Sequence, residues 1–284
     1  MKKKISIGYL GPSGTYSSQA ADLVGKYFYD QNFILAGMST ISDVLWEIQK
    51  GSIDLGVVPV ENSIEGTINV TMDVLTHEVD LQIIAEVVLD IDHCLLSKES
   101  DLSNITKILS HNHALAQCRK TLKKMFPDAE LVSTASSIEA VKSTLKDEKG
   151  LAALASRKAA VEYNLPIIAE NICDYSGNKT RFWVIGKELH HKTTGKHKTS
   201  IVMALEENKP GGLYSVLRYF AEHNINLTKI ESRPAKRELG DYLFYIDCEG
   251  SMADEVFKKV IDKLDEETVF LKILGSYQEL ADRV

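Results

Sequence analysis

Nowhere in its 284 residues does this chain hold an apolar run near the roughly 18 residues that cross a bilayer, so a helical membrane span is excluded. After Met1 and three lysines, the apolar stretch from Ile5 to Leu10 is shorter than a signal-peptide core, and a cytoplasmic protein is expected. Cysteine is scarce: Cys94, Cys118, Cys173 and Cys248 lie far apart with no CxxC pair, which predicts reduced, mostly buried thiols and neither a disulfide framework nor a thiolate metal site. Positive charge is not in excess, with 33 Lys+Arg against 40 Asp+Glu and a net charge of −7. There is no global field to hold a nucleic acid, and an anionic ligand needs local donors. Internal repeats, low-complexity segments, a P-loop and a GxGxxG fingerprint are also missing.

What remains is an ordinary globule with 44% hydrophobic and 26% charged residues, and its length predicts two domains. From Ile5 short apolar runs alternate with helical patterns, the mark of an α/β domain with mostly parallel strands. Ser39 to Asp43 suits a helix N-cap, and Gly51 ends that helix. The run Leu81 to Leu96 is too long for one strand and is expected to cross between two lobes. Ala114 to Met125 reads as one helix. Between residues 187 and 198 hydrophobicity collapses. His190, His191 and His197 stand there among four lysines and one acid, which predicts a solvated linker rather than a metal site. Beyond it, about 80 residues spell βαββαβ, the ferredoxin-like order.

Three polar clusters follow apolar strands, where α/β folds place function: residues 11–17, 61–67 and 110–113. The first offers freed backbone N–H groups at Gly11 and Gly14, hydroxyls on Ser13, Thr15 and Ser17, and a helix N-terminus. It is either an anion site or a helix cap. In the second, Glu61, Asn62, Ser63 and Thr67 form either a capping network or a binding site. In the third, Ser110 and His111 end a strand, and His111 is an acid, a donor or a structural residue. Thr180-Arg181-Phe182 adds a hydroxyl, an anion-pairing guanidinium and an apolar ring.

The segments Gly11-Pro12-Ser13-Gly14-Thr15-Tyr16-Ser17, Val58-Pro59-Val60-Glu61-Asn62-Ser63 with Gly66-Thr67, and Thr180-Arg181-Phe182 resemble, in order and spacing, the signatures of the bacterial prephenate dehydratase family. Glu231-Ser232-Arg233-Pro234, after Gly211-Gly212-Leu213 and Asn224-Ile225-Asn226-Leu227, resembles the ACT regulatory domain of those enzymes, here in the monofunctional form without a chorismate mutase bundle. Two segments depart from the family: Ser110-His111-Asn112-His113 replaces Ser-His-Pro-Gln, and Gly211-Gly212-Leu213 replaces Gly-Ala-Leu.

The resemblance implies an α/β fold with a two-lobed, periplasmic-binding-protein-like catalytic domain over 1–186, a linker over 187–198 and an ACT domain over 199–284. Lobe one would comprise about 1–80 plus 165–186, and lobe two about 81–164. It implies decarboxylative dehydration of prephenate to phenylpyruvate, without cofactor or metal, feedback-regulated by L-phenylalanine in a homodimer or homotetramer. Thr180 would be the catalytic donor, with Glu61 as the alternative acid. Gly14, Thr15, Ser17, Asn62, Ser63, Thr67, Ser110, His111, Arg181 and Phe182 would surround the substrate, with Arg181 and the helix N-terminus at Gly14-Thr15 on its pyruvyl carboxylate and Phe182 as a wall. Gly212, Leu213, Asn224, Ile225, Asn226, Leu227, Glu231 and Ser232 would hold the effector. Two other readings carry the same features: a ligand-sensing binding protein with two lobes around a cleft, and an enzyme acting on L-arogenate.

Overall fold

The computed structural model describes residues 3–146, 149–187, 197–205, 210–235 and 241–280. The linker expected at 187–198, with His190 and His191, falls almost wholly outside the described residues, and His197 already begins a strand.

The first lobe is built on β1 (Ile5–Leu10), which pairs in parallel with β2 (Phe33–Met38) and β3 (Leu55–Asn62). The connecting helices are α1 (Tyr16–Tyr29) and α2 (Ile41–Lys50). At the start of α2, Thr40 and Asp43 close a reciprocal capping box, and Gly51 ends the helix with φ 79°, a conformation that costs a residue with a Cβ far more. Beyond β3 the lobe departs from a parallel sheet. A two-residue strand, β4 (Gly66–Thr67), folds back on β3 before α3 (Asn69–His77), and β5 (Gln82–Asp90) joins the sheet through an antiparallel late strand, β11 (Lys179–Gly186). The order is β2-β1-β3-β11-β5. The expected crossing is sharp: β5 ends at Asp90 in the first sheet, and β6 (Cys94–Ser97) begins the second.

The second sheet runs β10 (Ile167–Ala169), β6, β9 (Leu151–Ala155), β7 (Lys107–Ser110), β8 (Glu130–Ser133). Four helices accompany it: α4 (Asn112–Gln117), α5 (Arg119–Met125), α6 (Ser137–Thr144) and α7 (Arg157–Glu162). Two expectations are corrected. β5 belongs to the first lobe and β10 to the second, because hydrogen-bonded pairing, which sequence order does not reveal, assigns each strand. The helix read over Ala114 to Met125 is two helices, broken at Cys118 with φ −116° and ψ 7°.

The third sheet confirms the βαββαβ reading: β12 (His197–Leu205), α8 (Gly212–Glu222), β13 (Leu227–Pro234), β14 (Tyr242–Glu249), α9 (Glu255–Glu267) and β15 (Thr268–Gln278), in sheet order β13-β14-β12-β15. Alternation along the strands gives it two apolar faces. Ile201, Met203, Ile246 and Cys248 meet its own helices through Val216, Phe220, Phe257 and Val260. Val202, Leu243, Tyr245, Leu274 and Tyr277 instead share a core with Met72, Leu75 and Trp183 of the first lobe. Further ties are Tyr245 Oη to Thr76 Oγ1 at 2.8 Å and Lys272 Nζ to the Leu75 and Val79 carbonyls at 2.7 and 2.9 Å.

β15 comes so close to β5 that a Cβ on Gly275 would lie 2.3 Å from the Ile83 carbonyl oxygen. Backbone cannot retreat as a side chain can. Gly275→Val is therefore expected to destabilise the protein by about 1–3 kcal/mol, seen as a melting temperature several degrees lower. An unchanged melting curve would show that this contact is slack.

Candidate active site

Where the crevice between the two lobes is expected, Asn62, Thr180, Asn178, Gln117 and His93 form a buried, hydrogen-bonded chain of side chains. Cross-strand pairing of β3 with β11 sets Asn62 opposite Thr180 and Glu61 opposite Arg181. Side chains alternate, so the first pair serves one face of the sheet and the second pair the other. Asn62 Nδ2 lies 2.7 Å from Asn178 Oδ1, 2.9 Å from Thr180 Oγ1 and 3.1 Å from the Lys179 carbonyl oxygen. Its Oδ1 accepts from the Ile64 and Glu65 N–H groups at 2.9 and 3.0 Å. The Asn62 amide is thereby fixed in one orientation, donating to Thr180. With its oxygen receiving that bond, Thr180 keeps its O–H for another acceptor.

The chain continues across the lobes. Asn178 Nδ2 donates to Gln117 Oε1 at 3.0 Å, His93 Nε2 lies 3.2 Å from that same oxygen, and Gln117 Nε2 donates to Glu65 Oε1 at 3.2 Å. His93 sits in the crossing segment between β5 and β6, under the ring of Tyr16 at 6.2 Å. Tyr16 Oη donates to the Asp92 carbonyl oxygen, so the N-terminus of α1 is tied to the same segment. Ser156 Oγ of the second lobe donates to the Gly14 carbonyl oxygen at 3.0 Å, which fastens the 11–17 turn across the crevice.

Burial lowers the pKa of His93, with the Gln117 bond opposing it. A histidine depressed when folded binds fewer protons than in the unfolded chain, so its contribution to stability is complete above the free-histidine value of 6.5 and declines as pH falls below it. His93→Gln keeps a side-chain donor but does not titrate, and its melting temperature is expected to fall less than that of the wild type on acidification from pH 7 to pH 5. Parallel pH profiles would remove His93 from the account.

The remaining sequence-selected residues divide. Thr15 caps α1, accepting from Ser18 N–H at 3.3 Å, and Ser17 is buried in that helix. Ser63 Oγ accepts from Lys179 N–H at 2.9 Å, beside Thr180. His111 caps α4, the helix that ends at Gln117, and burial and then His113 lower its pKa. Ser110 is fully buried and donates to the Leu154 carbonyl oxygen at 2.6 Å, a tie within the second lobe.

Five of the selected side chains are engaged elsewhere. Arg181 Nη1 lies 2.6 Å from Asp247 and 3.4 Å from Glu86, and its Nη2 lies 3.0 Å from Glu61, so three carboxylates against the third sheet occupy the guanidinium expected on substrate. Glu61 faces the same way and is held also by Lys229 at 3.4 Å. Thr67 donates to Glu231 and accepts from Lys229 at 2.7 Å. Glu231, expected among the residues that hold the effector, takes that contact and lies 3.3 Å from Lys229. Phe182 is 1% exposed in the first-lobe core with Ile7, Tyr9 and Val57, and offers no wall.

Residues that sequence reasoning left unassigned are Gln117, Asn178, His93 and Glu65. Asn178 shares the parity of Thr180, which was a usable signal. The others converge only through the lobe crossing.

Two α/β lobes with oriented amides and a hydroxyl between them, and a βαββαβ module packed on the first, define a small-ligand-handling α/β protein joined to a second, ferredoxin-like domain. The family model "PDT: Prephenate dehydratase" matches residues 7–190, and "ACT domain" matches residues 199–266. The chain is 44% identical to the prephenate dehydratase of Methanocaldococcus jannaschii over 95% of its own length and 96% of that relative's. It is also 44% identical to the bifunctional chorismate mutase/prephenate dehydratase of Aquifex aeolicus, over 98% of this chain and 74% of that one. The crystal structure of prephenate dehydratase from Arthrobacter aurescens, in complex with L-Phe, superposes with a TM-score of 0.87 at 31% identity, covering 96% of this chain and 90% of that one. This chain belongs to the prephenate dehydratase family. The reading as a stand-alone ligand-binding protein falls with that finding. Among the described residues, no helix is long and apolar enough to cross a membrane.

Proposed function

We infer that this chain is a prephenate dehydratase, converting prephenate to phenylpyruvate, carbon dioxide and water, and that it works in the cytoplasm. The bond from the ring to its carboxylate breaks, its electron pair enters the ring, and the 4-hydroxyl departs as hydroxide, which takes one proton to become water. Aromatisation drives the exchange, so the enzyme has two tasks: to hold a dianion with the ring carboxylate sparsely paired, and to stabilise the leaving oxygen.

The observation that carries this reading is the Asn62–Thr180 bond of 2.9 Å, which leaves the Thr180 O–H as the donor to the departing oxygen. A threonine hydroxyl is too weak an acid for full proton transfer at neutral pH, so it orients that oxygen and stabilises its charge while water supplies the proton. With Arg181 committed elsewhere, the pyruvyl carboxylate is assigned to the N–H groups at the start of α1, a 14-residue helix whose first turn holds no acid. Ser63 and His111, which keep some exposure, are assigned to the substrate's polar groups. Incubating the full chain with prephenate and following phenylpyruvate absorbance tests the reading. Turnover supports it, whereas turnover of L-arogenate alone would keep the enzyme and change the substrate.

Regulation by L-phenylalanine follows from the ACT domain and from the L-Phe-bound relative. Gly212 and Leu213 open α8, while Asn224, Ile225, Asn226 and Leu227 follow its far end, 11 residues away. That length is about 16 Å of helix. A ligand the size of an amino acid does not span it, so the two sets meet only between copies: the Gly-Leu turn of one protomer against the Asn224–Leu227 segment of its partner. β13 is an edge strand, which favours side-by-side pairing of two such sheets into a dimer. The same strand carries Lys229 and Glu231 onto Glu61 and Thr67, so effector binding at β13 acts directly on β3, whose end holds Asn62.

A further inference from the structure

We propose that Cys118 and Cys173 form a reversible oxidation site, closing to a disulfide with a hydroperoxide such as hydrogen peroxide and distorting the crevice floor through Gln117. The two sulfurs lie 3.9 Å apart, in segments 55 residues apart in sequence. Cys118 is buried at the break between α4 and α5, and Cys173 is half-buried in the stretch leading to Asn178. Backbone bonds beside the pair fix the two segments together: Asp174 N–H donates to the Gln117 carbonyl oxygen at 2.8 Å, and the Asp174 carboxylate caps α5 at Lys120 and Thr121 N–H, 2.9 and 2.8 Å away. The thiols thus stand face to face in a frame that exists without them.

Their chemistry is unequal in the useful direction. The Cys118 S–H donates to the Cys173 sulfur, which pulls the Cys173 thiol down to about 7, and burial opposes this. The same bond and burial raise Cys118. The inequality favours the thiolate on the half-buried Cys173 and keeps the proton on the buried Cys118, the arrangement of an attacking and a resolving cysteine. The Cys173 thiolate attacks a peroxide oxygen: an S–O bond forms, the O–O bond breaks, and hydroxide leaves and is protonated to water. The sulfur is oxidised by two electrons and the peroxide reduced by two. Cys118 sulfur then attacks the sulfenic sulfur: the S–S bond forms, the S–O bond breaks, and the second hydroxide takes the Cys118 proton. In sum, two thiols and one hydrogen peroxide give one disulfide and two waters.

A disulfide holds its sulfurs about 2.05 Å apart, so closure draws these two together by nearly 2 Å. Gln117 immediately precedes Cys118, and its side-chain amide joins His93, Asn178 and Glu65. Displacing a positioning group by about 1 Å is enough to cost an active site up to about a hundredfold in rate. Cys94 and Cys248 are buried, and burial is the main cause raising both thiols, Cys248 to about 12, so they serve as internal controls.

The experiment uses the full-length protein treated with hydrogen peroxide, after which free thiols are alkylated and tryptic peptides are mapped by mass. The expected product is one cross-linked pair of peptides containing Cys118 and Cys173, reversed by dithiothreitol. Cys94 and Cys248 should be alkylated, and prephenate turnover should fall about tenfold or more, in step with the cross-link. Cys173→Ser is expected to keep the untreated rate and to resist peroxide. Four alkylated thiols, a cross-link to Cys94, or Cys173 recovered as sulfinic acid would each overturn the site. A Cys118–Cys173 cross-link with unchanged turnover would overturn its connection to Gln117. The mass readout does not depend on the enzyme's substrate, so failure of the dehydratase reading stays distinguishable.

Discussion

Thr180→Ala is expected to lower kcat on prephenate by about a hundredfold or more while KM changes little, because the contact it removes matters chiefly in the transition state. In the ground state the 4-hydroxyl is a neutral group that many donors can satisfy. As the C–O bond breaks, charge gathers on the oxygen, and a preoriented donor is worth about 2.7–4 kcal/mol there, as oxyanion-hole donors are elsewhere. Thr180 is preoriented by Asn62, whose amide is itself locked by the Ile64 and Glu65 N–H groups. Thr180→Ser keeps the hydroxyl and is expected to retain turnover within about tenfold of the wild type. The alanine variant should fold, since Asn62 Nδ2 keeps the Asn178 and Lys179 oxygens. A folded Thr180→Ala enzyme with near-normal kcat would take Thr180 out of the mechanism.

The second large effect is on stability. Arg181→Leu is expected to destabilise the protein by about 3–5 kcal/mol, because it strips the partner from buried carboxylates. Glu86 is fully buried and Asp247 is 3% exposed. Burial would lower the guanidinium pKa, but Asp247 first among the charges, and Glu86, reverse this and raise it. Glu86 retains Lys198, whereas Asp247 is left with Ser200 Oγ as its remaining side-chain donor among the described residues. Adding Asp247→Asn to Arg181→Leu removes the orphaned charge and should restore part of the lost stability, which denaturant unfolding of the four proteins of the cycle measures. Additive losses, with no recovery in the double variant, would mean that the Arg181–Asp247 pair is not energetically coupled.

These two residues are neighbours in the chain, and their separation marks where sequence reasoning stopped. The lobe crossing, the capping box at Thr40 and Asp43, the stop at Gly51 and the βαββαβ order were legible because each is a local pattern of turn chemistry or hydrophobic period. The polar clusters were legible as clusters. Their division between two faces was not, since it depends on the register that sets Asn62 against Thr180 and Glu61 against Arg181. Once the βαββαβ sheet covers one face of that register, an arginine suited to a substrate carboxylate becomes an interdomain ion pair. Gln117 and His93 were unreadable for a different reason: they meet only because the chain enters the second lobe between β5 and β6 and returns before β11. The shared core of Tyr245, Tyr277, Met72 and Trp183 adds a practical lesson. Deleting residues 199–284 would bare that surface, so regulation is better tested with point substitutions in the full chain.

The central claim is that one strand serves both functions: Thr180 is assigned to the reacting substrate, and Arg181 is held against the third sheet by Asp247. The most direct test is the L-phenylalanine dose response of prephenate turnover, compared between the wild type and Asp247→Asn. Asparagine keeps the shape and removes the charge facing Arg181, and Asp247 belongs to β14 of the third sheet. Couplings of ordinary size, about 1–3 kcal/mol, correspond to about 5–150-fold. The account predicts that Asp247→Asn turns over prephenate within about threefold of the wild type without effector and needs at least about tenfold more L-phenylalanine for half-inhibition. Superimposable inhibition curves, or turnover lost before any L-phenylalanine is added, would contradict it.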